Sequence, residues 1–422
     1  MKKIILLVFF GMLSQLSFAQ EFEADLQLRP RFEFRNGYKT LLSEEEDPAS
    51  IVSQRSRLNL NFSEEKLKLK FSVQNVRVWG DVPTLNSSDN NGMQIFEAYG
   101  QYSFSEAWSF KAGRQVISYD NQRIFGAVDW AQQARSHDAL VFTYKSAEKQ
   151  QLDLGVAINA EREELVKSPY RLNNYKNLQY AWYHLNFTNS ALSFLAMNTG
   201  YEGNAEDQKV DDLQTFGSYF NFKGERFFGD VAAYAQTGKR NGLTAEAFYA
   251  GANFNYALNS EWMAGLGGEY LSGKDMNDAS DKLKSFEPLF GTNHAFNGYM
   301  DYFYVGNHLN SVGLVDAYAK INYANGQWKV AALPHLFFAP NQIMDSNAKK
   351  LQNYLGTEVD LTASYAVHKN LSLGLGYSQM FGSQSLEVLK GGDAGNIQNW
   401  AWLMLNFHPV LFHTNKAPAV NI

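Results

Sequence analysis

Charged residues able to form ion pairs in fixed geometry are concentrated in one stretch of the chain, residues 113–140. The stretch holds a nearly self-neutralising set, the three arginines Arg114, Arg123 and Arg135 and the three aspartates Asp120, Asp129 and Asp138. A guanidinium presents its donors as a planar fork that matches a carboxylate or a phosphate, so it holds an anionic group in a defined position. The stretch also carries apolar side chains in a number unusual for a solvated loop: Ile124, Phe125, Val128 and Trp130.

Two interpretations of this stretch follow from its residue types. It is a surface loop with a small apolar cluster of its own, or it is a loop tucked into a cavity made by other strands. In a cavity partly shielded from water, an unpaired charge is costly, and the paired set avoids that cost. The second interpretation predicts that residues 118–136 fold inward.

A second set of arginines lies early in the chain. Nine of the thirteen arginines lie at or before Arg135, and none follows Arg240. Five of them fall on the polar face of the first three predicted strands: Arg29, Arg31, Arg55, Arg57 and Arg77. If that face lines a pore, the arginines favour anions. The alternative is that they pair locally with Glu23, Asp25, Glu33 and Glu97 and only stiffen the wall. Later strands offer acidic candidates for an opposite wall: Glu269, Asp316, Glu358 and Asp360.

Catalytic and metal sites have little support in the sequence. The eight histidines show neither metal-ligand spacing nor a helical i, i+4 pair, and there is no cysteine. We therefore predict no catalytic residue, no metal and no cofactor. A serine–histidine pair formed across two strands, as in an outer-membrane hydrolase, stays open as an alternative.

The elements that position these residues are strands of period two. In the first, Phe22, Ala24, Leu26, Leu28, Phe32 and Phe34 alternate with Glu23, Asp25, Gln27, Arg29, Arg31, Glu33 and Arg35. The run of ~14 residues exceeds the ~5–6 that are usual in soluble proteins and suits a tilted membrane strand. The same pattern recurs to give eighteen predicted strands, with a bulge near Gln74–Asn75.

The connections favour an all-β fold, a transmembrane antiparallel up-and-down β-barrel of 18 strands. Short and long connections alternate, as expected for short periplasmic turns and long extracellular loops. The longest connection, residues 273–308, ends in an aromatic segment, for which we weigh a lid or sugar platform against simple self-packing. The last predicted strand, Asn399–Phe407, must pair with the first, because an open sheet edge is not tolerated in lipid.

Composition narrows the alternatives. Aromatic residues make up 15% of the chain although its mean hydropathy is −0.35, and the mature chain has no apolar run near the ~18 residues of a spanning helix. A large soluble β-sandwich or propeller shares this composition. Aromatic residues nevertheless flank the short turns, including Phe104, Trp108, Tyr256, Trp262, Tyr323 and Trp328, which is typical of the interfacial girdle of a membrane barrel.

The chain begins with the features of an export signal. Lys2 and Lys3 precede an apolar run, and Ser17-Phe18-Ala19 is a small-x-small cleavage site. We predict a cleaved signal peptide over residues 1–19 and a barrel over residues 20–422. The net charge of −6 gives no sign of nucleic-acid binding.

The pattern GRQ…SYD..R..G..DW.QQ.RS.DAL across residues 113–140 resembles the core of the alginate-export family of outer-membrane β-barrels, and FEPLFGTNHAFNGYMDYF at Phe286–Phe303 resembles a second segment of that family. The resemblance implies a channel in the outer membrane of a Gram-negative bacterium, with passive passage of an anionic or polar saccharide through a charged lumen. It implies contact with lipid and lipopolysaccharide, and it leaves room for a periplasmic scaffold of an export complex. The alternatives are a general small-solute porin and, in another class, an outer-membrane hydrolase.

The candidates for the lumen and the substrate path combine the two arginine sets with their partners: Arg29, Arg31, Arg55, Arg57, Arg77, Arg114, Arg123, Arg135, Asp120, Asp129, Asp138 and Trp130.

Overall fold

The computed structural model describes residues 20–86, 88–89, 92–147, 149–203 and 208–414. The signal peptide predicted for residues 1–19 lies outside the described residues. No helix in the described ranges is long and apolar enough to cross a membrane.

Eighteen long strands form the wall of the barrel: β1 Gln20–Asn36, β2 Ala49–Glu64, β3 Leu67–Val78, β4 Gln94–Ser103, β5 Trp108–Gln115, β6 His137–Ser146, β7 Gln150–Ile158, β8 Asn177–Asn186, β9 Ser190–Glu202, β10 Val210–Lys223, β11 Phe227–Arg240, β12 Leu243–Ala257, β13 Trp262–Leu271, β15 Leu314–Asn325, β16 Trp328–Phe338, β17 Tyr354–His368, β18 Leu371–Gly382 and β19 Gln398–Phe407. Smaller elements lie in the connections and after β19: β14 Lys282–Leu283, a 3₁₀ turn Asn293–Ala295, the helix α1 Gln384–Lys390 and β20 Val410–His413.

The wall closes on itself. Each long strand pairs antiparallel with the next along the chain, and β13 pairs with β15 because β14 belongs to a loop. The first and last wall strands, β1 and β19, pair from Leu28 opposite Phe407 to Asn36 opposite Asn399. The predicted barrel of 18 strands and its closure are confirmed. Closure satisfies the backbone of the edge strands without water, as the bilayer requires.

The two faces of the wall carry different residues. On β1, Arg29, Arg31 and Glu33 point inward and are at most 5% exposed, whereas Leu26 and Phe32 are 36% and 40% exposed on the outside. Aromatic pairs mark the rim of short turns on the outer face, such as Trp108 with Tyr144 and Trp328 with Tyr365. This arrangement is that of an outer-membrane barrel with lipid outside and polar side chains inside.

Four local features differ from the sequence-based picture. The bulge lies between Ser72 and Val73, slightly earlier than predicted. Strand β15 begins at Leu314 rather than at 309, because His308, Asn310 and Gly313 take left-handed backbone (φ 61°, 48° and 78°) that a strand does not accommodate. The helix α1 and the strand β20, which pairs with β1 next to β19, were not predicted.

Candidate functional site

The connection between β5 and β6, residues 116–136, reaches into the barrel, and we call it the inner loop. Ile124 and Phe125 are 3% and 1% exposed, and Arg123 is 1% exposed. The loop contacts inward-facing side chains of β1 and β2 at one point, of β8 and β9 at a second and of β13 at a third. Its charged residues therefore have partners on several sides of the barrel.

Asp129 contacts the inward-facing arginines of β1 and β2, which we call the basic wall. Its carboxylate lies 2.8 Å from Arg55 Nη1, 3.4 Å from Arg29 Nη1 and 3.9 Å from Arg57 Nη1. The Asp129 side chain is 60% exposed although the three guanidinium groups are nearly buried. Among the described residues, the buried donors Arg55 Nε, Arg55 Nη2 and Arg57 Nη2 have no hydrogen-bond partner. One exposed carboxylate thus faces three guanidinium groups with donors to spare.

Gln132 and the loop backbone complete this contact. Arg29 donates from Nε to Gln132 Oε1 at 3.1 Å and from Nη2 to the carbonyls of Trp130 and Ala131 at 3.2 Å. The Gln132 amide donates back to the carbonyl of Arg29 at 3.2 Å. These bonds fix the loop to β1 through an uncharged amide and backbone carbonyls. A search for charged residues therefore did not reveal Gln132.

Trp130 lies in an aromatic cluster beside the same wall. Its ring stacks on His294 at 4.8 Å between centroids and makes edge contacts with Trp400 and Trp402. The Arg31 guanidinium lies 4.2 Å from the centre of the Trp130 ring, and Arg31 Nη1 donates to the Trp130 carbonyl at 2.8 Å. A cation over an indole face adds a specific attraction to the packing.

Glu33 binds the arginines near the C-terminal end of β1. Its buried carboxylate accepts from Arg31 Nε at 3.0 Å, from Arg35 Nη2 at 2.9 Å and from Trp400 Nε1 at 3.1 Å. The local pairing considered as an alternative for the arginines of the first strands is therefore found at Arg31, which also donates to the inner loop, while Arg29 and Arg55 pair with Asp129 of that loop.

Arg123 connects the inner loop to β13. Its Nη2 lies 3.0 Å from Glu269 Oε2 and donates to Asn297 Oδ1 at 2.9 Å. The guanidinium also packs over the rings of Phe296 and Tyr249. Removing one partner of an ion pair in which both groups are buried strongly destabilises a protein, because the other charge is left without compensation. We therefore expect this contact to attach the loop firmly to β13.

Asp120 fixes the loop to β8 and β9. It accepts from Ser193 Oγ at 2.6 Å and from Trp182 Nε1 at 3.1 Å. Burial raises the pKa of the Asp120 carboxyl, and the two hydrogen bonds oppose that rise. Ser193 also lies 2.8 Å from His184 Nδ1, the cross-strand serine–histidine arrangement considered for a hydrolase. Ser193 is 1% exposed and donates to Asp120, so its hydroxyl is engaged as an anchor for the loop.

The acidic candidates on the later strands hold a second inward segment, residues 297–300. Asn297 Nδ2 donates to Glu269 at 2.8 Å and to Asp316 at 3.2 Å, and the backbone N–H of Met300 donates to Glu358 at 2.7 Å. Gly298 lies so close to Glu358 that a Cβ would come within 2.6 Å of its carboxylate, and its φ is +83°. The acidic wall therefore binds a loop rather than standing open to the lumen.

The aromatic part of the longest connection packs inside the protein. Phe286, Tyr302 and Phe303 are fully buried. Their faces are covered by neighbouring side chains, so they support the loop and do not offer a platform for a sugar.

Three predicted candidates lie apart from this cluster. Arg77 pairs with Asp81 at 2.8 Å and Asp89 at 3.3 Å in the connection after β3. Arg114 and Asp138 pair with each other at 2.7 Å across β5 and β6, with side chains 39% and 61% exposed. They share the strand face of the outward residues Phe110 and Phe142.

Arg135 lies at the end of the inner loop and pairs with no carboxylate in the part of the chain that the structure describes. Its Nη1 donates to the carbonyl of Gly291 at 3.1 Å. Burial lowers the pKa of the Arg135 guanidinium to about 10, so the group remains a cation at neutral pH. It thus joins the inner loop to the second inward segment through a backbone carbonyl.

A cavity of about 470 Å³ lies between the inner loop and the rim of short turns. Its lining includes Lys68, Lys111, Lys145, Asp153 and Tyr119. Tyr119 stacks on Trp182 at 4.4 Å and donates to Asp153 at 2.8 Å. The lining is polar and carries both signs of charge. In the described part of the chain, no group of three or more His, Asp or Glu side chains is placed to hold a metal ion.

Comparison with known proteins agrees with the closed barrel. The model of the alginate export family matches residues 20–386. The chain belongs to this family. Comparison with curated proteins gives no match.

Solved structures of outer-membrane proteins show the same fold. The structure of OccAB4 from Acinetobacter baumannii superposes with a TM-score of 0.64 at 12% identity and covers 93% of this chain and 98% of its own. OccD3 (OpdP) of Pseudomonas aeruginosa gives a TM-score of 0.61 at 12% identity and covers 93% and 92%. OpdK of Pseudomonas aeruginosa, solved with vanillate, gives 0.61 at 10% identity and covers 92% and 98%. This member of the alginate export family is therefore an outer-membrane channel protein.

Proposed function

We propose that this channel passes an anionic or polar saccharide passively through its lumen, past the inner loop. The observation that supports the proposal is the contact between Asp129 and the guanidinium groups of Arg29, Arg55 and Arg57. Three cations share one carboxylate, so the local charge is positive where the exposed side of Asp129 meets the lumen.

The physical basis is a preformed set of donors. A guanidinium that is already held by the wall loses little side-chain freedom when it attracts an anion. Fixed arginines beside a narrow path favour the entry of anions and slow that of cations. Hydroxyl-bearing sugars also find amide and hydroxyl partners in the cavity below the loop, where Gln101, Gln115 and Gln151 lie.

A general small-solute porin is the second candidate. The cavity supports it, because its lining mixes Lys68, Lys111 and Lys145 with Asp153 and Glu106. A channel of that kind discriminates by size and charge only.

Reversal potentials in planar bilayers under a salt gradient test the proposal. Replacing Arg29, Arg31, Arg55 and Arg57 by glutamine should shift the potential away from anion selectivity, because the positive charge at the path is lost. The matched control is Arg77→Gln, whose side chain pairs with Asp81 outside the cluster and should leave the potential unchanged.

A single variant separates charge from anchoring. Asp129→Asn keeps all four arginines and removes the carboxylate that Arg29, Arg55 and Arg57 share, so it should increase anion selectivity. If both variants show the wild-type potential, the arginines only brace the wall and the porin alternative stands. Liposome swelling with acidic and neutral oligosaccharides of equal size then distinguishes saccharide passage from general diffusion.

A further inference from the structure

A second cavity lies at the rim of long loops, away from Asp129 and its arginine partners Arg29, Arg55 and Arg57, which we call the lumen cluster. Its volume is about 420 Å³, and it is formed by residues 274–276, residues 308–312 and the end of α1. The apolar part of its lining consists of Met276, Leu309, Val312, Val388 and Leu389. Leu309 and Met276 are 46% and 47% exposed, so the cavity opens to the outside of the cell.

Two lysines supply the charge of this cavity. Lys390 lies at the last position of α1, half-buried, with its Nζ 5.5 Å from the centre of the Phe303 ring. Lys274 also lines the cavity. Neither ammonium forms an ion pair with a carboxylate in the described ranges. Seven other lysine or arginine side chains there pair with a carboxylate at 2.5–2.8 Å: Lys70–Glu97, Arg55–Asp129, Arg77–Asp81, Arg114–Asp138, Lys282–Glu246, Lys284–Asp278 and Arg162–Glu164.

In the described residues, the other titratable groups around Lys390 form no ion pair with it. His308 donates from Nε2 to the carbonyl of Gly313 at 3.0 Å, and burial beside Lys390 lowers the pKa of His308 to about 3, so His308 is neutral. Asp275 lines the cavity, but its Oδ1 accepts from the backbone N–H of Gln342 at 2.7 Å. Glu387, one turn before Lys390, accepts from the N–H of Ala394 at 2.8 Å.

We propose that this outer cavity binds a small carboxylate that carries an apolar body, with its carboxylate at Lys390 and Lys274 and its apolar part against Leu309 and Val388. The site lies outside the lumen cluster, and the inference is independent of which solute the channel passes. A partly buried ammonium without an anion is unfavourable, and a ligand carboxylate supplies the missing charge. The apolar wall adds the free energy of removing hydrocarbon from water.

Binding should take up protons near neutral pH. Burial lowers the pKa of Lys390 to about 7, so the amine of the empty site is only about half protonated at pH 7. A bound carboxylate favours the ammonium and raises the pKa of Lys390. Affinity should therefore be highest below pH 7 and should fall as the pH rises through 8 and 9.

Isothermal titration of the full-length barrel in detergent with hexanoate tests the inference, with the neutral hexanamide as the uncharged probe. The wild-type protein should bind hexanoate at least about tenfold more tightly than hexanamide, which is the worth of a charge-assisted hydrogen bond. Lys390→Gln should lose that difference. Lys282→Gln is the matched control, because Lys282 lies in the same connection as Lys274, has a side chain 41% exposed and pairs with Glu246.

A conservative variant separates binding from folding. Lys390→Arg should bind hexanoate without taking up a proton, as measured from heats in buffers of different ionisation enthalpy, and its affinity should be flat from pH 6 to 9. Heat-modifiable mobility on a gel confirms that each variant is a folded barrel. Equal affinity of hexanoate and hexanamide, or unchanged hexanoate affinity in Lys390→Gln, would overturn the assignment.

Discussion

At the residue scale, the lumen of this channel is organised by carboxylates that are shared among several donors. Asp129 pairs with three arginines, Glu33 accepts hydrogen bonds from two arginines and Trp400, and Asp120 accepts them from Ser193 and Trp182. Sharing leaves an excess of guanidinium donors on β2, where Arg55 keeps two buried nitrogens without a partner. Glu269 is shared in the same way, because it accepts from Asn297 and Tyr249 in addition to its close buried pair with Arg123.

The Arg123–Glu269 pair should control how firmly the inner loop is seated. Replacing Arg123 by glutamine leaves Glu269 with a buried charge, and the loss of one partner of such a pair costs about 3–5 kcal/mol. The chain has no cysteine, so Ile124→Cys provides a unique probe at a position 3% exposed in the wild type. We expect its reaction with a membrane-impermeant thiol reagent to accelerate at least about tenfold when Arg123→Gln is added, since 1.4 kcal/mol of lost protection is tenfold.

The control for this experiment is Arg114→Gln in the same cysteine background. Arg114 pairs with Asp138 on the outer face, so its loss should leave the labelling rate unchanged. Equal rates in all three backgrounds would show that the loop is held by its apolar residues, and the ion pair would then be incidental to its position.

At the scale of the elements, the strands could be predicted, whereas the contacts that hold the inward segments could not. Strand alternation is local, so the eighteen strands of the wall follow from period-two runs such as that of β1. The inward segments depend on contacts between distant parts of the chain, for example Met300 with Glu358 and Arg123 with Asn297. No local pattern encodes such pairs, so Gln132, Asn297 and His294 were missed although the charged residues near them were found.

The short elements were missed for a different reason. The helix α1 has capping residues like those of longer helices: the Ser383 hydroxyl accepts from the N–H of Leu386, and Gly391 ends the helix. With only seven residues, however, it is too short to show a helical periodicity in the sequence. The strand β20 has four residues and exists because β1 extends beyond the pairing range of β19.

The inner loop should act as a constriction that is separable from the wall. Deleting residues 123–133 removes Asp129 and Trp130 from the lumen but no residue of the strands β5 and β6. Because barrel closure depends on strand pairing, the variant should fold and show a clearly higher single-channel conductance, and larger sugars should pass in liposome swelling.

Heat-modifiable mobility on a gel shows whether the deletion variant is a folded barrel. A folded variant with wild-type conductance would contradict the constriction, and the arginine–aspartate contacts would then serve only as internal bracing. A deletion that prevents folding would instead assign the loop a part in assembly.

At the scale of the whole molecule, one rule links sequence to sidedness: odd and even positions of a strand face different solvents. On β2, Leu58 lies opposite Leu26 of β1 and Val73 of β3, on the face that carries the exposed apolar residues. Asn59 faces the lumen, where its Nδ2 donates to Asp25 at 2.7 Å. Two neighbouring residues thus report on two different environments.

Arginine placed at these two positions should have opposite consequences. Leu58→Arg puts a guanidinium among lipid-facing side chains, where a charge near the bilayer midplane costs about 2–4 kcal/mol. Asn59→Arg puts the same group in the lumen beside Asp25, where it has water and a carboxylate partner. The measurement is urea titration of the refolded barrel in lipid vesicles, followed by the fraction of heat-modifiable band, and only the Leu58 variant should shift to lower urea. If both variants unfold at the wild-type concentration, the register of β2 or its depth in the membrane differs from that described here, and the inward assignment of Arg55 and Arg57 on the same strand would have to be revised with it.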